Sequence, residues 1–199
     1  SSDKSPVPIN NPPSLLAKLA HHMAEALKVT SSYITSFNIN EGSMRVVAEY
    51  WSNDVHPLER HSDLGRDYPF EEYASIVVAM LKGEVSIMHD DDLGLTETEH
   101  KQFSEYGVKS MMFVPILAHG QLLGTAELWE SRARREFSQA DIKLTQAMSN
   151  YAASVIENST LFTQTRQREN ELAAMLKVAH AVSSSLQLSD VLKQAATEL

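Results

Sequence analysis

From Thr125 to Leu199 the chain contains neither glycine nor proline, although seven of each occur up to Gly124. These two residue types end or kink helices more often than any others. A segment that lacks them and carries apolar residues at helical spacing therefore predicts one or more long helices. The part before Gly124 is interrupted repeatedly, which predicts a compact domain of short elements. A compact domain that continues into long helices is typical of modules that pass a signal or hold a dimer, and enzymes rarely need one.

Composition limits the class of protein. The 199 residues are 43% hydrophobic, enough to bury a core in one domain with an extension or in two small domains. No apolar run approaches the roughly 20 residues that span a bilayer, and no signal peptide is visible. The absence of cysteine excludes disulfides, thiol nucleophiles and iron–sulfur ligation. We therefore expect a cytoplasmic protein whose sequence makes no contact with a membrane.

The negative charge is concentrated in one segment. The net charge is −9, and residues 54–105 contain thirteen acidic against four basic side chains. Residues 137–199, with six acidic and five basic side chains, are nearly neutral. A nucleic-acid surface needs a basic patch that contacts several phosphates, and the nearest to one is the group of Arg132, Arg134 and Arg135. We expect no direct binding of nucleic acid.

Short elements are predicted from residue 14 to residue 130. Apolar spacing and turn residues predict helices over Ser14–Leu27, Phe70–Leu81 and Thr96–Tyr106, the last with a capping box of Thr96 and Glu99. The predicted strands are Ser32–Ile39, Met44–Trp51, Glu84–His89, Val108–Leu117 and Leu122–Glu130, and 52–69 is predicted as a loop. Pro115 indicates a position near a strand end or edge. This order predicts an α+β fold with a mostly antiparallel sheet flanked by helices.

Two segments carry a family resemblance. VKSMMFVPILAHGQLLGTAELWES (108–131), followed by REFSQADIKLTQAMSNYAASVIENSTLF (135–162), resembles the end of a GAF domain. The resemblance implies a flexible lead over 1–13 and a GAF-like sensor domain over 14–155. Residues 175–199 resemble the truncated start of a following GAF-like module, with Ser189 and Asp190 capping its last helix, and 156–174 resemble a signalling linker helix.

The linker helix has a weakly apolar seam. Ten positions from Val155 to Leu186 follow each other at alternating spacings of three and four residues. Five of the ten are Val, Phe or Leu. This pattern predicts a homodimer, with parallel or antiparallel helices, that can shift or rotate. The alternative is a stalk without a partner. The predicted dimer residues are Val155, Phe162, Leu172, Leu176 and Ala179.

A second prediction concerns a ligand site. The resemblance implies a small-molecule pocket between the sheet and the segment over about 51–107, and such pockets have apolar walls with few polar groups. The alternative is that the same aromatic and methionine side chains only pack the core. The predicted ligand-binding residues are Trp51, Phe70, Tyr73, His89, Phe103, Met111 and Phe113.

Cofactors known in the family fit this sequence poorly, so the cofactor stays unknown. Related photoreceptors attach bilins through cysteine, and the methionine-sulfoxide reductases of this fold also use cysteine. Cyclic-nucleotide binders carry Asn-Lys before Phe-x-x-x-Asp-Glu, whereas here Trp129-Glu130 precede Phe137, and Ile142 follows Asp141. Haem would need an axial ligand, for which His89 is the first candidate. We expect no metal at His89–Asp92, because adjacent side chains rarely converge on one ion.

No catalytic motif is present, whether a nucleophile elbow, a phosphate-binding loop or a dinucleotide fingerprint. The absence of these motifs predicts a non-catalytic regulatory protein. The resemblance implies a sensor that binds a small molecule or partner and relays the change through a dimeric C-terminal helix to a kinase or cyclic-dinucleotide effector in the same chain. The alternative is a ligand-free structural and dimerisation module that spaces other domains.

Overall fold

The computed structural model describes the backbone of residues 12–197 and the side chains of residues 15–177. The chain divides into two compact units, Ser1–Glu157 (unit 1) and Asn158–Leu199 (unit 2). The helices are α1 Pro12–Leu27, α2 Ala74–Leu81, α3 Glu97–Tyr106 and α4 Gln139–Thr197. The strands are β1 Ser31–Asn38, β2 Ser43–Trp51, β3 Asp67–Pro69, β4 Ser86–His89, β5 Ser110–Ala118 and β6 Gln121–Glu130.

The six strands form one antiparallel sheet in the order β3-β2-β1-β6-β5-β4. Strands β1 and β6 lie at its centre and pair from Ser31 with Trp129 to Ser36 with Gly124. The predicted α+β fold with a mostly antiparallel sheet and flanking helices is confirmed.

Alternation along the strands builds two cores, because successive side chains point to opposite faces of a sheet. Ile34 and Ala126 belong to the core that also contains residues of α1 and the first part of α4. Tyr33 and Trp129 belong to a second core with residues of α2 and α3. The second core surrounds the cavity described below.

The sequence predicted the ends of an element correctly where a capping side chain or a glycine determines that end. Thr96 accepts from the backbone N–H of Glu99, whose carboxylate accepts from the N–H of Thr96, and α3 ends at Gly107 with φ 66°. Pro115 lies beyond the part of β5 that pairs with β4, so its missing N–H leaves no gap in that ladder. The capping box and the edge position of Pro115 are both confirmed.

Two predicted boundaries were wrong between β2 and α2. The segment predicted as a loop contains the short strand β3, which pairs with Ser43–Arg45 of β2. The helix predicted from Phe70 begins with a 3₁₀ turn over Phe70–Tyr73, and the α-helix starts at Ala74. A three-residue strand of polar and aromatic residues has no periodicity that a sequence could reveal.

Helix α4 begins after a reciprocal cap, in which Ser138 Oγ accepts from the N–H of Asp141 at 3.2 Å and the Asp141 carboxylate accepts from the N–H of Ser138 at 2.9 Å. Its backbone is helical through Thr197, so the helix start predicted at Ser189 and Asp190 is wrong. Serine and aspartate tolerate a helix interior when no glycine or proline stops the helix. No second GAF-like module is seen in residues 12–197, and no helix in this range is long and apolar enough to cross a membrane.

Candidate functional site: a polar cavity between the sheet and α2/α3

A cavity of about 40 Å³ lies in unit 1 between the sheet and helices α2 and α3. This volume accommodates a few water molecules. The side chains that line it are mostly aromatic or aliphatic, with a polar minority that includes two acids. They are Tyr33, Thr35, Met44, Val46, Asp63, Tyr68, Tyr73, Ile76, Gln102, Tyr106, Phe113, Thr125, Glu127 and Trp129.

The floor of the cavity comes from the two central strands. In β6, Thr125, Glu127 and Trp129 occupy alternate positions and therefore share one face of the sheet. On β1, Tyr33 pairs with Glu127 and Thr35 pairs with Thr125, so the same face of β1 continues the floor. The pleat of two neighbouring strands thus brings a carboxylate, two hydroxyls and two aromatic rings together.

Glu127 is the most unusual group in the cavity. It is 8% exposed, and Thr35 Oγ1 donates a hydrogen bond of 2.7 Å to its Oε1. Among the described residues it forms no ion pair. Burial raises the pKa of Glu127 to about 7, although the side chains of Thr35 and Trp129 pull this pKa down. A carboxylate buried with so few partners is costly, which makes it a candidate binding group.

The second acid of the cavity is already satisfied. Tyr106 donates its phenol proton to Asp63 Oδ2 at 2.7 Å, and Arg66 Nη1 donates to Asp63 Oδ1 at 3.2 Å. Burial and the bond to Asp63 raise the pKa of Tyr106 well above its usual value, so its proton stays in place. Asp63 therefore holds the wall together, whereas Glu127 remains available.

Two further polar atoms of the lining residues lack partners. Trp129 is 4% exposed, and its Nε1 lies close enough to the Glu127 carboxylate to lower the pKa of that acid, but it forms no well-oriented hydrogen bond among the described residues. The buried Oε1 of Gln102 likewise has no donor in that part of the chain. Native proteins pair nearly all buried polar atoms, so unpaired ones at a cavity mark a place for water or a ligand.

A cleft of about 330 Å³ lies outside the cavity and shares Tyr68, Tyr73, Gln102 and Tyr106 with it. These four side chains separate the two spaces. The cleft is completed by His61, Arg66, Glu72, Thr98, Lys101 and Glu105. Cavity and cleft together reach the size range of small-molecule sites.

A buried network lies beside the cavity. Glu59 has no exposed surface, and Ser31 Oγ and Tyr33 Oη both donate to its Oε1, whereas its Oε2 has no partner among the described residues. Burial raises the pKa of Glu59 to about 7. Trp51 Nε1 donates to Tyr33 Oη at 2.8 Å, which links this predicted residue to the cavity wall without lining it.

The seven predicted ligand residues fall into different places. Tyr73 and Phe113 line the cavity. Phe103 and Met111 are buried in the surrounding core, and the ring of Phe70 lies 5.0 Å from that of Phe37. The ligand-binding role of these side chains stays a prediction. Sequence reasoning missed Glu127, for which the signal was an acid at an alternate position of an apolar strand.

His89 lies apart from the cavity. Its Nδ1 is 3.4 Å from a carboxylate oxygen of Asp92, and its Nε2 is 3.1 Å from the carbonyl oxygen of Arg135. Both ring nitrogens of His89 already have polar partners, so His89 would have to give up one of these contacts to ligate a haem iron. Asp90 pairs with Lys109, and the described residues contain no group of three or more metal-ligating side chains that could hold an ion.

The predicted dimer residues also differ in their surroundings. Val155 is 6% exposed and packs in the core of unit 1, so it offers little surface to a second chain. In unit 2, Phe162, Leu172 and Leu176 are 60–66% exposed. The side chain of Ala179 lies outside the described residues.

The GAF domain family model matches residues 11–156, whereas no curated protein sequence matches the chain. Among solved structures, the blue-light absorbing form of the Thermosynechococcus elongatus PixJ GAF domain is 19% identical, with a TM-score of 0.63 over 79% of this chain and 91% of that chain. A phycoerythrobilin-bound GAF domain from a cyanobacterial phytochrome is 20% identical, with a TM-score of 0.65 over 77% and 89%. A domain described as part of a two-component sensor histidine kinase protein of Sinorhizobium meliloti 1021 is 17% identical, with a TM-score of 0.58 over 77% and 96%. At these identities the likeness shows the fold alone.

Proposed function

Because the chain belongs to the GAF domain family, we propose that unit 1 is a non-catalytic sensor domain that binds a small molecule in the cavity. The observation that carries this proposal is the set of buried polar atoms without partners, at Gln102 and Trp129, together with the sparsely paired Glu127. Apolar residues at these positions would make the domain more stable, so packing of the core alone does not explain the polar ones.

The sensor acts on an effector in the same chain, by resemblance a kinase or a cyclic-dinucleotide enzyme. The relay is a dimer of the C-terminal helices, supported by the exposed apolar side chains of Phe162, Leu172 and Leu176 in unit 2. A ligand shifts this dimer between two states by binding one of them more tightly.

The ligand differs from those of the photoreceptor relatives. One solved relative is bound to phycoerythrobilin, whereas this chain has no cysteine to attach a bilin. Phosphate-bearing ligands are disfavoured at the inner cavity, because the described residues that line it include two acids and no base.

A second function has one observation in its favour. The cavity of about 40 Å³ is much smaller than a typical small-molecule pocket, which suits a ligand-free module that only spaces and dimerises other domains. The two functions differ in whether the polar cavity ever holds anything besides water.

Native mass spectrometry of the purified protein separates them. The sensor function predicts a dimer that carries a reproducible small-molecule adduct, and the adduct should disappear in Val46→Phe, which fills the cavity from β2. A dimer whose mass equals two bare chains, even after incubation with a library of small metabolites, contradicts the ligand-binding part. A monomer contradicts the relay.

A further inference from the structure

We propose that the inner cavity takes the protonated amine of a small organic cation, with Glu127 as its counter-ion. This inference rests on the proposed function, since it names the ligand class of the same cavity.

The charge of the lining selects the sign of the ligand. Among the described residues, Asp63 and Glu127 line the cavity and no lysine, arginine or histidine does. Attraction and repulsion between charges are strong where water is excluded, so an anion would be rejected and a cation accepted.

Glu127 is the group that can pair with the incoming charge. Both oxygens of Asp63 already accept hydrogen bonds, from Tyr106 and Arg66. Glu127 accepts one well-oriented hydrogen bond, from the hydroxyl of Thr35, with the indole N–H of Trp129 nearby, and it has no cationic partner within the described residues. An ammonium group beside it would give this buried carboxylate the partner that the protein itself does not provide.

Aromatic rings supply the rest of the environment that a cation requires. The ring centroids of Tyr33 and Trp129 are 4.6 Å apart, and the ring of Tyr106 packs edge-on against that of Trp129, with 5.3 Å between their centroids. Tyr73 and Phe113 complete this group of cavity-lining rings. Ring faces attract cations within about 6 Å, and aromatic cages of this kind bind organic ammonium ions.

The unpaired atoms define the ligand further. Gln102 Oε1 is an acceptor without a donor, which an N–H of the ammonium group would satisfy. Trp129 Nε1 reaches the Glu127 carboxylate only in poor geometry, so a neutral oxygen next to the amine would give this donor a better-oriented acceptor. The favoured class is therefore a small primary amine with an adjacent hydroxyl or carbonyl oxygen.

The cleft provides room for the remainder of such a molecule. The cavity admits only the amine end, whereas the cleft of about 330 Å³ beyond Tyr68, Tyr73, Gln102 and Tyr106 has the volume for the rest of the molecule, which would lie against these tyrosine rings. Rotation of these side chains would join the two spaces.

Calorimetric titration with three matched probes tests the inference. Phenylalaninol carries the amine and the hydroxyl, hydrocinnamyl alcohol lacks only the amine, and hydrocinnamate replaces the polar head with a carboxylate. At pH about 8, where Glu127 is ionised, we expect phenylalaninol to bind the full-length protein at least about tenfold more tightly than either analogue. We expect Glu127→Gln to remove most of this preference, and Glu84→Gln, an exposed acid outside the cavity and cleft, to keep it.

The wild-type protein provides a second readout that does not depend on the folding of a variant. Because binding requires ionised Glu127, the affinity for phenylalaninol should fall as the pH drops below about 7. The other titratable side chains that face this space are Asp63 from the loop before β3, which Arg66 pairs at 3.2 Å, Tyr33 from β1, Tyr68 from β3, Tyr73 before α2 and Tyr106 from α3. Burial raises the pKa of all four tyrosines, so they stay protonated throughout this range.

Each other outcome overturns the inference in a recognisable way. Equal or tighter binding of the alcohol or of hydrocinnamate, lost in Val46→Phe, would refute the cation while preserving the sensor function. Binding of phenylalaninol that survives Glu127→Gln and is independent of pH would refute the role of Glu127. Failure of all three probes refutes the amine class, and the adduct test with Val46→Phe then decides the sensor function separately.

Discussion

A carboxylate in the middle of an apolar strand is the residue that most distinguishes this domain from an ordinary packed core. Glu127 lies between Ala126 and Leu128, both fully buried on the opposite face of the sheet. Its side chain faces the cavity because of strand alternation alone. A residue that costs stability at such a central position is one that a function retains.

Glu127 should make the stability of the domain depend on pH. Its pKa is raised from 4.5 to about 7, so between these values the folded state binds more protons than the unfolded state. The free energy of unfolding should therefore fall as the pH rises from about 4.5 to about 7, by up to about 3 kcal/mol from this group. Glu59 should add a similar decline.

Glu127→Gln should remove its part of that decline. The amide keeps an oxygen for the hydroxyl of Thr35, so we expect the variant to match the wild type near pH 5 and to exceed it above pH about 7. Urea denaturation over a pH series measures this, with Glu84→Gln as the control. If the free energy of unfolding changed with pH in the same way for the wild type and Glu127→Gln, the Glu127 carboxylate would not be desolvated as described.

Substitution of Gly124 tests the close approach of the central strands β1 and β6. A Cβ at this position would overlap the carbonyl oxygen of Thr35, which belongs to the backbone and cannot rotate away. We expect Gly124→Ala to lower the free energy of unfolding by at least about 2 kcal/mol. Gly94, where a Cβ would meet nothing within 4 Å, is the control. Thermal melts of the two variants should differ clearly, and similar melting temperatures would contradict the close approach.

At the level of residues, the sequence predicted only part of the cavity. Tyr73 and Phe113 belong to its lining, but they were chosen as aromatic residues rather than from geometry. Asp63 could not be assigned, because a single acid in a loop does not reveal whether it faces solvent, and the position of Glu127 in an apolar strand shows that it is unusual but not which face of the sheet holds a cavity. Only the strand register, which pairs Tyr33 with Glu127, brings the polar set together.

Among the elements, α3 was predicted best because its ends are chemically encoded. Thr96 and Glu99 form the capping box, and Glu99 also accepts a hydrogen bond from Ser75 of α2. The 3₁₀ turn and β3 carry no comparable signal, since tertiary pairing with β2 decides their conformation.

Loss of the cap should loosen the wall that α3 contributes to the cavity. Thr96→Ala removes the oxygen that accepts from the N–H of Glu99, and we expect a loss of about 1 kcal/mol in the free energy of unfolding. Hydrogen exchange should accelerate first in α3. Ser104→Ala, an exposed position near the other end of the same helix, should change little. Equal effects of the two substitutions would indicate that the capping box contributes nothing.

Across the whole molecule, the sequence predicted the fold class more reliably than the structure and contacts of its C-terminal residues. Repeated turns and strand alternation predicted five of the six strands of the antiparallel sheet and its flanking helices, because both signals depend on local chemistry, whereas β3 depends on pairing with β2. The absence of glycine and proline predicted a long helix but could not predict how far it continues. Val155, taken as a dimer residue from its spacing, packs in the core of unit 1 because helix periodicity does not distinguish a core from an interface.

The dimer itself is tested in unit 2. Leu172 is 60% exposed in the single chain, and Ala174 lies two residues further on, about 200° around the helix. If the apolar face that includes Leu172 is buried between two chains, Leu172→Asp places a carboxylate in that interface and should raise the dimer dissociation constant at least about tenfold, whereas Ala174→Asp should leave it unchanged. Sedimentation equilibrium of the two variants and the wild type measures the constants. A wild-type dimer that both variants preserve would mean that another surface holds it, and equal weakening by both would mean that added charge, rather than this face, is responsible.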